Sequence, residues 1–122
     1  MMSSPHHRIH RRSDFQRTLS LGVRTRTRDL DVHRLTPAQR WPDRSRSELA
    51  LGGGPWLGMI VSKKVGNSVV RHRVARRIRA AFASAILPSE AQAYYVVRAR
   101  PSSALRSSNE LADQLRKALA PR

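Results

Sequence analysis

The sequence contains no cysteine, which removes disulfides, zinc–thiolate sites and thiol nucleophiles together. It is also short of acid: 8 aspartates and glutamates stand against 24 lysines and arginines, giving a formal charge of +16 over 122 residues. There is no long apolar run and no helical pattern with a bulky apolar face, so a membrane is not an expected partner. The start of the chain, Met1 to Arg12, carries charge without an apolar stretch; it does not read as a secretory signal, and a cytoplasmic protein is expected. Five histidines (His6, His7, His10, His33 and His72) are present, but no pair has helical HExxH-type spacing with an acid between, so no metal site built by the protein alone is expected. The Gly52-Gly53-Gly54 run lacks the lysine and hydroxyl residue of a phosphate-cradling loop.

What is present is basic charge on a chain of single-domain size. A chain of this length sustains one modest core, so residues 1–122 are read as one domain with a basic tail over 1–12. Self-repulsion of this strength calls for a polyanion to neutralise it, and nucleic acid is the expected partner.

Ser13-Asp14-Phe15-Gln16 fits a capping box and predicts a helix start. Phe15 and Leu19 share one face of that helix, and Gly22 is expected to stop it in a left-handed conformation after about two turns. Val23-Arg24-Thr25-Arg26-Thr27-Arg28 then alternates strictly, which predicts a strand with one cationic face. After a bend at Asp29 the alternation resumes in Leu30-Asp31-Val32-His33. Residues 36–55 hold three of the seven prolines and the glycine run, and are read as a flexible loop without an assigned function. Trp56 to Lys63 is a mostly apolar strand that ends in charge. Asn67 is a good N-cap, and Val70, Val74, Ile78, Ala81, Phe82 and Ala85 form the stripe of a helix from Ser68 to about Ile86, ended by Pro88. Ala93 to Arg100 reads as a strand stopped by Pro101. Ser107-Ser108-Asn109-Glu110 is a second capping box, ahead of Leu111, Leu115 and Leu119. The expected architecture is α+β in the order α-β-β-β-α-β-α, a small sheet covered by helices.

The densest signal lies in the third quarter of the chain. Lys63, Lys64, Arg71, Arg73, Arg76, Arg77 and Arg79 place seven cations within seventeen residues, with His72 and Asn67 among them. On a helix, Arg73, Arg76, Arg79 and His72 point away from the apolar stripe, Arg77 flanks it, and Arg71 sits in the first turn. A merely solvated face mixes charge signs to gain i,i+4 pairs, yet no acid occurs between Lys63 and Arg79. Arginine also dominates, and its planar fork suits phosphate contacts and stacking on bases.

The acids do not assemble an obvious catalytic set. Asp14, Asp29, Asp31, Asp43, Glu48, Glu90, Glu110 and Asp113 are scattered, and several look like cap or surface residues. Asp29 and Asp31 could share a strand face and hold a metal, as nucleases require; a turn-and-solubility role is the expected one.

The uninterrupted segment Gly58 to Arg79 resembles the signature of the bacterial ribonuclease P protein family: a strand ending in Ser62-Lys63-Lys64, a Gly66-Asn67 turn, and a helix opening with Arg71-His72-Arg73. Weaker similarity extends over Asp14-Phe15-Gln16, Gly22, Ala99-Arg100-Pro101 and the closing leucine helix. The resemblance implies a four-stranded sheet with three helices and a left-handed βαβ crossover, like the second domain of ribosomal protein S5. It implies removal of the 5′ leader from precursor tRNA by a catalytic RNA subunit with Mg²⁺ bound mainly by RNA, with the protein as accessory subunit and no further protein partner required. Carried over by position, Lys63, Lys64, Asn67, Arg71, His72, Arg73, Arg76, Arg77 and Arg79 would contact ribonuclease P RNA. Phe15, with Arg24, Arg26 and Arg28, would line a cleft for the single-stranded leader, where stacking and backbone neutralisation give sequence-tolerant binding. A core anchor for its own helix is an equal reading of Phe15. The sequence departs from the family pattern at His72, where asparagine is usual, and at Ala75, where lysine is common.

Other classes remain open at this point. A ribosomal or other structured-RNA-binding protein would bind RNA without affecting precursor cleavage. A helix-turn-helix regulator would need two adjacent helices, whereas the arginine-rich helix here lies between strands. A protein-only nuclease would need Asp29 and Asp31 for cleavage.

Overall fold

The alternating segment after Gly22 folds back on itself as a hairpin. The computed structural model describes residues 7–36, 55–86 and 93–119. Within them β2 (Val23–Arg26) pairs antiparallel with β3 (Leu30–Leu35), and β3 pairs antiparallel with β5 (Tyr94–Ala99). Strand β4 (Trp56–Ile60) lies parallel to β5, and the helix α2 (Ser68–Ala85) makes the crossover between these neighbours. These are the four foreseen strands. A two-residue strand, β1 (His7–Arg8), adds parallel to β4 at one edge, giving the order β1-β4-β5-β3-β2. The segment read as a tail is thus joined to the sheet from His7 onward.

Both faces of the sheet are covered, as period-two side chains require. Leu30, Val32, Leu57, Tyr95, Val97 and Ala99 bury one face against α2 and α3 (Ser108–Leu119). Leu35, Trp56, Tyr94 and Val96 bury the other with Ile9, against Phe15 and Leu19 of α1 (Arg12–Leu21). Central β5 is covered on both sides, which accounts for its unbroken run of β-formers from Tyr94 to Val97.

Helix α2 forms as its stripe predicts. Asn67 Oδ1 accepts from the Val70 amide at 3.0 Å, and Val74, Ile78, Ala81, Phe82 and Ala85 are buried. The Phe82 ring meets Tyr95 edge-on, centroids 5.1 Å apart. In α3 the second capping box closes in both directions, Ser107 N to Glu110 Oε1 at 2.9 Å and Glu110 N to Ser107 Oγ at 3.1 Å. A 3₁₀ turn, Pro101–Leu105, joins β5 to α3.

Helix α1 departs from expectation in three ways. Its cap is Arg11, with no side-chain cap bond, so the box at Ser13 is not formed. The chain is held to β4 as far as Ile9, whose amide donates to Leu57 O at 3.2 Å; the turn into the helix therefore comes early and puts Ser13 inside it. Gly22 ends the helix in an extended conformation (φ −69°, ψ 156°), not a left-handed one. Glycine is needed there for closeness: a Cβ would collide with the Thr18 carbonyl oxygen and stand 2.9 Å from that of Arg34. Finally, the most buried residues of α1 are Asp14 and Thr18. Asp14 accepts from the Tyr94 hydroxyl at 3.1 Å and pairs with Arg17 at 3.6 Å, so it is not a surface residue.

The loop read over 36–55 lies, apart from its end residues, outside the described residues, as do Pro88 and the tail before His7. No helix among the described residues is long and apolar enough to cross a membrane.

Candidate nucleic-acid interface

Helix α2 buries its stripe against the sheet and so turns its cations outward. His72, Arg76 and Arg79 are exposed, as are Lys63, Lys64 and Asn67 in the preceding loop, while Arg71, Arg73 and Arg77 are half-buried on the flanks. Gly66 lets this loop close onto the helix, since a Cβ there would stand 2.8 Å from Val70 Cβ. No carboxylate among the described residues lies within ion-pair distance of Lys63, Lys64, Arg71, Arg73, Arg76 or Arg79. The Nε atoms of Arg71 and Arg73 are buried without a hydrogen-bond partner. Arg77 differs from its neighbours: its Nη1 donates to the Arg106 carbonyl at 3.1 Å and ties α2 to the approach to α3.

A second cationic surface lies on the opposite face of the sheet. Cross-strand register places Arg24 beside His33 and Arg26 beside Asp31, with Asp31 in turn beside Arg98 and Arg98 beside Ile60. Helix α1 covers only one end of this face, leaving a cleft of about 200 Å³ lined by Leu19, Arg24, Asp31, His33 and Arg98. Arg28 stands past the end of β2 in the turn, exposed. The sequence pattern points to Arg24, Arg26 and Phe15 here but not to Asp31, His33, Arg98 and Arg100. Arg98 belongs to β5 and Arg100 directly follows it, about seventy positions away, and only the pairing of β3 with β5 brings them in.

Phe15 is half-buried and lies over Gly58 of β4; a Cβ at Gly58 would come within 2.6 Å of its ring and 3.3 Å of Ile9. The ring therefore packs on the sheet, while the apolar lining of the cleft comes from Leu19. Gly58→Ala is expected to push the ring outward and cost about 1–2 kcal/mol, the usual penalty of overpacking. A thermal melt of the full chain that does not move would contradict this.

Asp29 and Asp31 are buried, each with its carboxylate engaged by basic side chains. Asp29 is fully buried and accepts from Ser102 Oγ at 2.5 Å, Gln114 Nε2 at 2.6 Å and Arg106 Nε at 2.9 Å. Burial alone would raise its pKa, but these hydrogen bonds and the Arg106 charge outweigh it and hold the carboxyl below its ordinary value. Asp31 faces Arg100 at 2.9 Å, Arg24 at 3.7 Å and Arg26 at 4.0 Å. Their expected turn-and-solubility role is thus corrected: distant arginines satisfy both carboxylates inside the fold. Among the described residues no group of three or more His, Asp or Glu is placed to hold a metal ion.

Comparison with known proteins adds an independent line. The pattern shared by the ribonuclease P family matches residues 3–121. Two curated proteins named ribonuclease P protein component are each 42% identical over 98% of this chain: one from Nocardia farcinica, 81% covered, and one from Rhodococcus opacus, 90% covered. Among solved structures, the RNase P protein of Staphylococcus aureus superposes with a TM-score of 0.68 at 27% identity, covering 93% of this chain and 92% of that one. The RNase P protein of Thermotoga maritima, at 17% identity, shares the fold with a TM-score of 0.69 over 94% of this chain and 99% of that one.

Proposed function

The chain belongs to the ribonuclease P protein family, and from that premise we propose that it is the RNA-binding subunit of a ribonucleoprotein that removes the 5′ leader of precursor tRNA in the cytoplasm. The observation that carries this reading is the placement of two cationic surfaces on opposite faces of one sheet. A protein that bridges two RNA segments needs such a pair. The acid-free surface of α2 and its preceding loop takes the ribonuclease P RNA through Lys63, Lys64, Asn67, Arg71, His72, Arg73, Arg76 and Arg79. Arg77 contributes with the donors that its bond to Arg106 leaves over. The cleft beside α1 takes the unpaired leader, with Leu19 as apolar wall, Phe15 one turn before it on α1, and Arg24, Arg26 and Arg28 along the backbone path.

The cleavage chemistry belongs to the RNA subunit and its Mg²⁺. The two aspartates that could have formed a metal pair are occupied by arginines, so the chain's own part is to bind, orient and neutralise. His72, in place of the family's asparagine, still carries a hydrogen-bond donor on an exposed turn of α2.

The test is cleavage of a 5′-extended precursor tRNA at low Mg²⁺ by the protein alone, by a bacterial ribonuclease P RNA alone, and by both. Activity is expected from the pair well above either component. A pair no better than the RNA alone would turn the assignment towards a ribosomal or other structured-RNA-binding role, and cleavage by the protein alone towards a protein-only nuclease.

A further inference from the structure

We propose that the arginine cluster around Asp31 is a subsite for one phosphodiester group of an unpaired RNA strand, and that the Asp31 carboxylate is its displaceable counter-ion. This rests on the leader reading of the cleft and adds to it which groups make the contact and what they give up.

Asp31, on β3, sits among four arginines: Arg24 and Arg26 of β2, Arg98 of β5 and Arg100 just past its end. Arg100 is close, at 2.9 Å, and only a quarter exposed. Arg24 and Arg26 are distant, at 3.7 and 4.0 Å, and are 55% and 68% exposed. Arg98 is the cross-strand neighbour of Asp31, exposed on the same face, with no ion pair to a described carboxylate. All three measured contacts fall on one oxygen, Oδ1. One carboxylate thus stands among four guanidiniums and pairs with three of them, leaving an excess of three positive charges at the rim of an open cleft. The imidazole of His33 senses that excess. Burial lowers its pKa first, the charges of Arg24 and Arg98 lower it further, and Asp31 offsets them only in part. Its Nδ1 is buried without a partner.

The geometry divides the arginines by how firmly they are held. The Arg100 contact is a charge-assisted hydrogen bond at good distance and stays with Asp31. The longer contacts come from Arg24 and Arg26, which are more than half exposed although Asp31 itself is buried, and such guanidiniums can turn to another anion. A phosphate offers two free oxygens at the level of the cleft, where Arg24 and Arg26 can swing from Asp31 and Arg98 can close from the β5 side. Asp31 thus holds the arginines near the site when no RNA is bound, and competes with the phosphate when it is.

This assigns a sign to an otherwise ambiguous substitution. If Asp31 only shaped the site, removing its charge would weaken binding; as a competitor, its removal strengthens it. Two long ion pairs with exposed guanidiniums correspond to about a three- to tenfold change in affinity.

The experiment measures binding of the protein–ribonuclease P RNA holoenzyme to precursor tRNA with a 5′ leader and to the same tRNA without one. Asp31→Asn is expected to tighten leader-bearing RNA about three- to tenfold and leave leaderless RNA unchanged. Arg98→Gln, an exposed change that spares the fold, is expected to weaken leader-bearing RNA alone. If the wild-type holoenzyme favours the leader yet Asp31→Asn leaves it unchanged or weaker, the counter-ion role is overturned while the leader reading stands. If Asp31→Asn does not fold, Arg98→Gln decides, and unchanged leader affinity overturns the subsite. If the wild type binds both RNAs equally, the leader reading falls and the subsite with it.

Discussion

Replacing Arg73, Arg76 and Arg79 together with alanine is expected to weaken binding to ribonuclease P RNA by about 100- to 1000-fold near physiological salt, from roughly 1 kcal/mol or more for each charge-assisted hydrogen bond removed. The dependence of log affinity on log salt should flatten by about 0.7–0.9 for each phosphate no longer neutralised. Arg76 and Arg79 are exposed, and none of the three pairs with a described carboxylate, so the melting temperature should hardly move. Arg77→Ala is the internal contrast. It removes the 3.1 Å bond to the Arg106 carbonyl and should lower stability while flattening the salt slope less than the others. Filter binding over a salt series, with a thermal melt of each variant, checks both expectations. An unchanged slope in the triple variant would remove α2 from the interface.

Helix α2 was legible in the sequence because everything that makes it is local. Asn67 caps it and stands three positions before Val70, the first apolar residue of the stripe, and the absence of acid between Lys63 and Arg79 can be read off directly. The same holds for α3, whose capping box closes within four residues. Where local signals met long-range restraints, the latter prevailed. Ser13 offered a cap, but the pairing of His7 and Arg8 with β4 brought the helix start forward. Asp14, Asp29 and Asp31 looked like surface acids because the side chains that hydrogen-bond their carboxylates stand 69 to 85 positions away. A lone aspartate in a turn carries no mark of the arginine that will meet it. The cleft was half legible for the same reason: the alternation after Gly22 revealed Arg24 and Arg26, whereas Arg98 and Arg100 depend on β5 inserting between β3 and β4.

Asp29 is where such long-range contacts carry the most energy, and Asp29→Ala is expected to destabilise the full chain by about 2–4 kcal/mol. The carboxylate is fully buried at the β2–β3 turn and gathers Ser102, Arg106 and Gln114 from the 3₁₀ turn, the approach to α3 and α3 itself. The backbone repeats the join, since the Asp29 amide donates to Gln114 Oε1 at 2.9 Å and its carbonyl accepts from the Arg100 amide at 2.9 Å. Truncation strands Arg106 and Gln114 without their acceptor. Arg106 remains one-fifth exposed and near Glu110 at 3.8 Å, which keeps the cost below that of a sealed pair. The pH dependence has a fixed sign. The folded pKa of Asp29 lies below the unfolded value of about 4, so its contribution is present in full above that value and is lost as pH falls through the folded pKa. The stability gap between wild type and Asp29→Ala should therefore be constant from neutral pH down to about 5 and narrow below 4. Urea unfolding across that range measures it. A gap under about 0.5 kcal/mol, within the range of ordinary surface changes, or one that persists unchanged in acid, would mean that the hydrogen bonds at this turn do not hold the sheet to α3.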